Sequence, residues 1–151
     1  MKFQVVSAVL CIAVCAGSVW AAVTPTPQQI VDERINGMKA MGGNLKATSQ
    51  AATPAEAKAK IAEAIAFAES IPTHFPKGTG IGDAGVTKTR ALQDIWTKPA
   101  EFKAANDALI TALKGVEAAL GGDKAKLDAA FGAVGPSCGG CHKPFRGPEV
   151  P

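Results

Sequence analysis

Apolar residues recur along most of this chain at intervals of three and four, the mark of helices that each bury one stripe. In the first such segment Val31, Ile35, Met38, Met41 and Leu45 fall on one face. Its start is written in Thr26-Pro27-Gln28-Gln29: Thr26 caps, Pro27 fits the first helical position and Gln29 completes a capping box. The segment runs to about Ser49. Thr53-Pro54-Ala55-Glu56 repeats the start signal, and the second helix reaches about Ser70 with Ile61, Ile65 and Ala68 inward and Pro72 past its end. A third helix starts near Thr97 and ends at Gly121-Gly122, with Phe102, Leu109, Leu113, Val116 and Leu120 at near-heptad spacing. Asp123 caps a fourth, in which Leu127, Phe131, Val134, Cys138, Cys141 and Phe145 share a face.

Ile71 to Thr89 breaks the rhythm. Pro72, Pro76, Gly78, Gly80, Gly82 and Gly85 predict a long ordered loop or crossover. The fourth helix carries Gly132, Gly135, Pro136, Gly139 and Gly140, so its propensity is low and something else must hold it. No strand pattern and no internal repeat is present. Four helices around one apolar seam predict an all-α four-helix bundle. Its core is underfilled, because alanine is frequent and large side chains are few; a buried aromatic cofactor would fill the space.

Composition adds limits. A chain of 151 residues forms one domain. Hydrophobic residues at 47% and charged residues at 19% exclude a disordered chain. The net charge of +3 comes from interspersed lysines and acids, with no basic block to suggest nucleic acid. No apolar stretch reaches the roughly 18–20 uninterrupted residues of a membrane helix. The N-terminus has a different logic. Lys2, the apolar run Val5 to Ala16 broken by Ser7, and the small-residue end at Val19-Trp20-Ala21 make a secretory signal peptide over 1–21, leaving a domain at 22–151. Val14 before Cys15 argues against a lipoprotein site. Cleavage removes Cys11 and Cys15 and leaves only Cys138 and Cys141, too close together to staple a useful loop.

Cys138-Gly139-Gly140-Cys141-His142 is a C-x-x-C-H sequence, the attachment signature of c-type haem. Two thiols add to the two vinyl groups as thioethers, and the adjacent histidine reaches the iron. At this spacing all three side chains share one side of a helix. A thioredoxin-like pair would need a βαβ pattern, which is absent. A zinc site would have only Cys138, Cys141, His142 and the distant His74. A small exported zinc or thiol protein is the reading that competes with haem, and a colourless product would support it. Export fits haem, since covalent attachment takes place outside the bacterial cytoplasm.

With this motif on the last helix of an exported helical chain, the sequence resembles the class II c-type cytochromes, cytochrome c′ and its low-spin relatives. The resemblance rests on Arg34 to Lys39 with Gly42, Phe75 to Thr79, Asp94-Ile95-Trp96 with Phe102, and Leu127 to Phe131 followed by Val134-Gly135 and Cys138 to Arg146. It implies an up-down-up-down bundle with one covalent haem c, thioethers at Cys138 and Cys141, and His142 as proximal ligand. It places Arg34 near the propionates, Arg146 on the proximal side, and Asp94 and Trp96 close to the haem. Pro136 departs from the family pattern and predicts a kink or one lost hydrogen bond in the fourth helix. Family members often dimerise through their first two helices, but no exposed apolar seam assigns a dimer here.

The resemblance places Met38 at the distal position. With its sulfur on iron the haem is six-coordinate and low spin, which raises the potential and suits one-electron transfer between periplasmic partners rather than an enzyme's turnover. With Met38 only packed over the open face, the haem is five-coordinate and binds nitric oxide, carbon monoxide or another diatomic gas. Outside the family setting, a methionine in a helical stripe is packing. Met41 is the backup ligand, and His74 reads as solvent-facing in its loop. Lys39, Lys46, Lys58, Lys60, Lys98 and Lys103 read as solvated faces, with a weak redox docking surface as the lesser alternative.

Overall fold

The computed structural model describes residues 24–149. The leader expected over 1–21 lies outside them. Four long helices form the bundle: α1 at Pro27–Gln50, α2 at Pro54–Ser70, α4 at Pro99–Ala119 and α5 at Lys124–Phe145. A single turn of 3-10 helix, Ile71–His74, closes α2, and a one-turn helix α3, Asp94–Thr97, precedes α4.

Both predicted capping boxes are present. Thr26 and Thr53 accept from the backbone of Gln29 and Glu56, whose side chains reach back to the cap backbone. Asp123 accepts from Ala125 N–H and starts α5. The third predicted helix is present as α4, and the one-turn α3 ahead of it was not expected. Lys98 lies outside helical geometry (φ −125°, ψ 54°), as the ring of Pro99 requires of the residue before it. Pro136 does not break α5, which continues through it. Proline has no N–H, so the Gly132 carbonyl loses its partner four residues on.

The linkers of α1 to α2 and of α4 to α5 are short, which makes each pair antiparallel. Packing runs α1 on α2, α2 on α4 and α4 on α5, with no comparable contact between α1 and α5. Val31, Ile61, Ala64, Leu113 and Val116 are fully buried between these helices. Phe102 joins α4 to the loop and to α5, meeting the rings of Phe75 and Phe145 edge-on at 5.1 and 5.3 Å.

Asn106 is a polar residue in this core, at 4% exposure. Its amide donates to the Ala68 carbonyl at 3.1 Å, near the end of α2. Pro72, four beyond Ala68, offers no N–H, and the Ala68 carbonyl accepts instead from Ile71 N–H three residues on, so Asn106 supplies its second donor. Between α2 and α3 the loop turns at Gly78 and Gly82, both with φ of 87°, a conformation that favours glycine.

At Gly37 a side chain would run into the Phe67 ring, whereas Gly43 faces open space. Gly37→Ala is expected to destabilise the protein by about 1–3 kcal/mol through overpacking. Gly43→Ala is expected to stabilise it by about 0.5–1 kcal/mol through helix propensity. Urea unfolding of both variants checks the pair.

Candidate functional site

The space left between α1 and α5 is a cavity of about 810 Å³, within the range of roughly 300–1,000 Å³ usual for ligand sites. Its wall is mostly apolar. Ile35, Met38 and Met41 come from α1, Ile71 and Phe75 from the start of the loop, Phe102 and Leu109 from α4, and Phe145 from α5. Cys138, Cys141 and His142 line the same space from one face of α5, at the helical spacing expected of them.

The two cysteines are free thiols, half-buried and not joined to each other. Burial pushes both thiols up, and Cys141 is raised further by its neighbour Cys138. His142 is pushed down by burial, then by the charges of Arg146 and Arg90. Its imidazole is therefore held in the neutral form that binds a metal.

Arg34 is the buried cation of the site. It is 4% exposed and stacks over the Phe75 ring at 4.5 Å. Nη1 donates to Thr79 Oγ1 at 2.8 Å and to the His74 carbonyl at 3.4 Å. Nη2 donates to the Thr79 carbonyl and to Thr89 Oγ1, both at 2.6 Å. No ion pair to a carboxylate forms here among the described residues, and burial pushes the guanidinium down to about 10.

A second strap ties the loop to the C-terminal end of α5. Leu92 N–H donates to the Phe145 carbonyl at 3.0 Å, and Gly147 N–H to the Arg90 carbonyl at 2.7 Å. Ala91 and Arg146 form an isolated antiparallel bridge. Arg90 adds Nε to the Gly147 carbonyl at 2.7 Å and an ion pair to Glu149 at 3.2 Å.

The cavity thus gathers Arg34, Met38, Cys138, Cys141, His142 and Arg146. It does not gather Asp94 or Trp96. Asp94 pairs with Lys98 at 2.8 Å, and Ile95 is the α3 residue on the wall. Trp96 stands behind the wall, its indole N–H donating to the Phe75 carbonyl at 2.9 Å. His74 is half-buried rather than solvent-facing, with its ring against Phe67 at 5.4 Å and Nε2 at 3.3 Å from Ser70 Oγ. Thr79, Thr89, Arg90 and Asn106 were not expected at the site. Nothing in their spacing marks them, since only the folded loop brings Thr79 and Thr89 to one guanidinium.

These residues suit a haem attached through two thioethers. The wall offers a flat group apolar surface, two thiols and a neutral imidazole share one helix face, and a buried cation waits without a carboxylate. The sequence model of the family "Cytochrome C'" matches residues 29–146.

The chain belongs to the cytochrome c′ family.

It is 42% identical over 128 residues to cytochrome c′ of Pararhodospirillum photometricum, spanning 80% of this chain and 98% of that one. It is 32% identical over 153 residues to cytochrome c-556 of Agrobacterium fabrum, spanning 97% of each. A nitric oxide complex of a cytochrome c′ mutant from Alcaligenes xylosoxidans has the same fold, with a TM-score of 0.68 and 28% identity. That match covers 82% of this chain and 98% of the solved one. As a member of this family the chain is a c-type cytochrome with covalently bound haem c, in a four-helix bundle. Among the described residues no helix is long and apolar enough to cross a membrane.

Arg34→Lys is expected to cost about 1–3 kcal/mol, because a lysine cannot reproduce the fork that binds Thr79 and Thr89. Faster hydrogen exchange across residues 79–91, with α4 unchanged, is the readout.

Proposed function

We propose that this cytochrome is an exported one-electron carrier working between periplasmic redox proteins. In this reading Cys138 and Cys141 carry the thioethers, His142 is the proximal ligand and Met38 the distal one. The observation that supports it most directly is that Met38 of α1 and His142 of α5 both line the cavity between those two helices. Met41 is buried in the core at 6% exposure, as a packing residue would be. A bound haem supplies the iron whose one-electron change is the chemistry.

The chain's own part is to hold and to exclude. The α5 helix presents both thiols and the imidazole in one row. Burial keeps the imidazole neutral and ready to donate its lone pair. The apolar wall keeps water from the site, and a thioether ligand favours the reduced state. Arg34 offers a fixed positive charge to the haem carboxylates, and its four hydrogen bonds already fix its position.

A second reading is a five-coordinate cytochrome that binds nitric oxide, with Met38 as packing over the open iron face. It is favoured by the nitric oxide complex of the Alcaligenes xylosoxidans protein, which shares this fold.

Optical spectra of the purified holo-protein, oxidised and reduced, with and without nitric oxide or carbon monoxide, separate the two. A low-spin spectrum with a far-red methionine–iron band that disappears in Met38→Ala is the expected result. A high-spin spectrum that shifts on gas addition would establish the second reading and end the first.

Two further outcomes are expected. Cys141→Ala weakens or abolishes covalent haem attachment and lowers helix content, checked by a denaturing gel stained for haem and by circular dichroism. Trp96 emission is strongly quenched in the holo-protein and recovers on unfolding, checked by fluorescence.

A further inference from the structure

The cavity mouth is where the chain keeps its positive charge. Arg34, Lys39, Lys88, Arg90 and Arg146 line the cavity, against a single acid, Glu149. These are five of the sixteen basic residues and one of the thirteen acidic ones. The remainder of the chain carries eleven basic against twelve acidic side chains, so the net positive charge is concentrated at one place.

The ion pairs point the same way, less strongly. Away from the mouth, five of the ten described lysines are neutralised by nearby acids, Lys60 by Glu63, Lys98 by Asp94, Lys103 by Asp107, Lys114 by Glu69 and Lys124 by Asp128, all at 2.6–2.8 Å, while Lys46, Lys58, Lys77, Lys126 and Lys143 make no ion pair among the described residues. At the mouth only Arg90 has such a partner, Glu149. Lys39, Lys88 and Arg146 are exposed and make no ion pair among the described residues. They come from α1, the loop and the end of α5, so three separate segments converge on one cationic rim. The carboxylates of a bound haem offset part of this charge and leave an excess.

We propose that the rim of Lys39, Lys88 and Arg146 is the docking surface for a redox protein whose own electron-transfer site is ringed by carboxylates. This rests on the electron-carrier reading above. Exposed charges of one sign around a cleft add little to affinity, but they steer encounter and orient the partner, raising association rates about 10–10³-fold at low salt. The steering brings the partner to the side of the protein where these three residues line the cofactor cavity.

The test uses the ferrous holo-protein and two small oxidants of opposite charge, hexacyanoferrate(III) and tris(phenanthroline)cobalt(III), over a range of ionic strength. The expected result is a rate with the anion that falls as salt rises and a rate with the cation that does not. The double variant Lys39→Glu/Lys88→Glu should slow the anion about tenfold or more at low salt and speed the cation. The far-face double variant Lys58→Glu/Lys126→Glu has the same net charge and should leave both rates close to wild type. Equal effects from the two double variants would mean that net charge alone acts, and would overturn the docking surface.

If neither oxidant takes an electron from the ferrous protein, the electron-carrier reading fails. The surface is then judged by retention of the oxidised holo-proteins on a polyaspartate column at low salt. Retention lost only in the rim variant supports the acidic partner. Retention lost equally in both variants, or rim-dependent binding confined to phosphatidylglycerol vesicles, overturns it.

Discussion

A full positive charge buried between α1 and the long loop, with no carboxylate beside it among the described residues, is the constraint around which the site end of this protein is organised. Taking the guanidinium of Arg34 out of water is unfavourable unless its donors find acceptors, and both Nη1 and Nη2 do. The acceptors are the Thr79 and Thr89 hydroxyls and the carbonyls of His74 and Thr79, all from the long loop. The loop therefore has one position against α1. With Thr79 fixed, Gly80 lies close enough to Trp96 that no side chain would fit there, and Trp96 in turn holds the Phe75 carbonyl. The ring of Phe75 then covers the guanidinium that started the chain of contacts. The circuit fixes Arg34, Phe75 and Thr89, three of the residues that line the haem cavity.

What could be read from the sequence follows from how local each signal is. The starts of α1, α2 and α5 were legible because capping is settled within four residues. The C-x-x-C-H motif was legible for the same reason, since it needs only one turn of helix to bring its three side chains together. The one-turn α3 was not read, because four residues are too few to show an apolar period, and Lys98 before Pro99 separates it from α4. Asp94 and Trp96 were expected at the haem by resemblance. On a single turn of helix, though, only one residue faces the cavity, and Ile95 takes that place.

Asn106 and the two threonines show the other limit. A threonine in a glycine-rich loop and an asparagine in a helical stripe have no pattern of their own. Their roles depend on partners 38 to 55 residues away in the chain. Asn106 also keeps a cost. Its Oδ1 is buried without a hydrogen-bond partner, which is worth about 1–3 kcal/mol against the fold. Its Nδ2 adds a second donor to the Ala68 carbonyl, which already accepts from Ile71 N–H at the end of α2.

The absence of a substantial α1–α5 interface has a consequence for the order of assembly. Helices that do pack are neighbours along the chain, apart from the loop that separates α2 from α4. Contacts of this kind close quickly, because little loop entropy is lost before they form. The two helical hairpins have no need to wait for one another. The last seam is left to a group that is not polypeptide, and in the proposed attachment through Cys138 and Cys141 its tether to α5 makes its capture by α1 an intramolecular event. Closure is then set by an effective concentration fixed by the tether and is independent of how much free haem surrounds the protein.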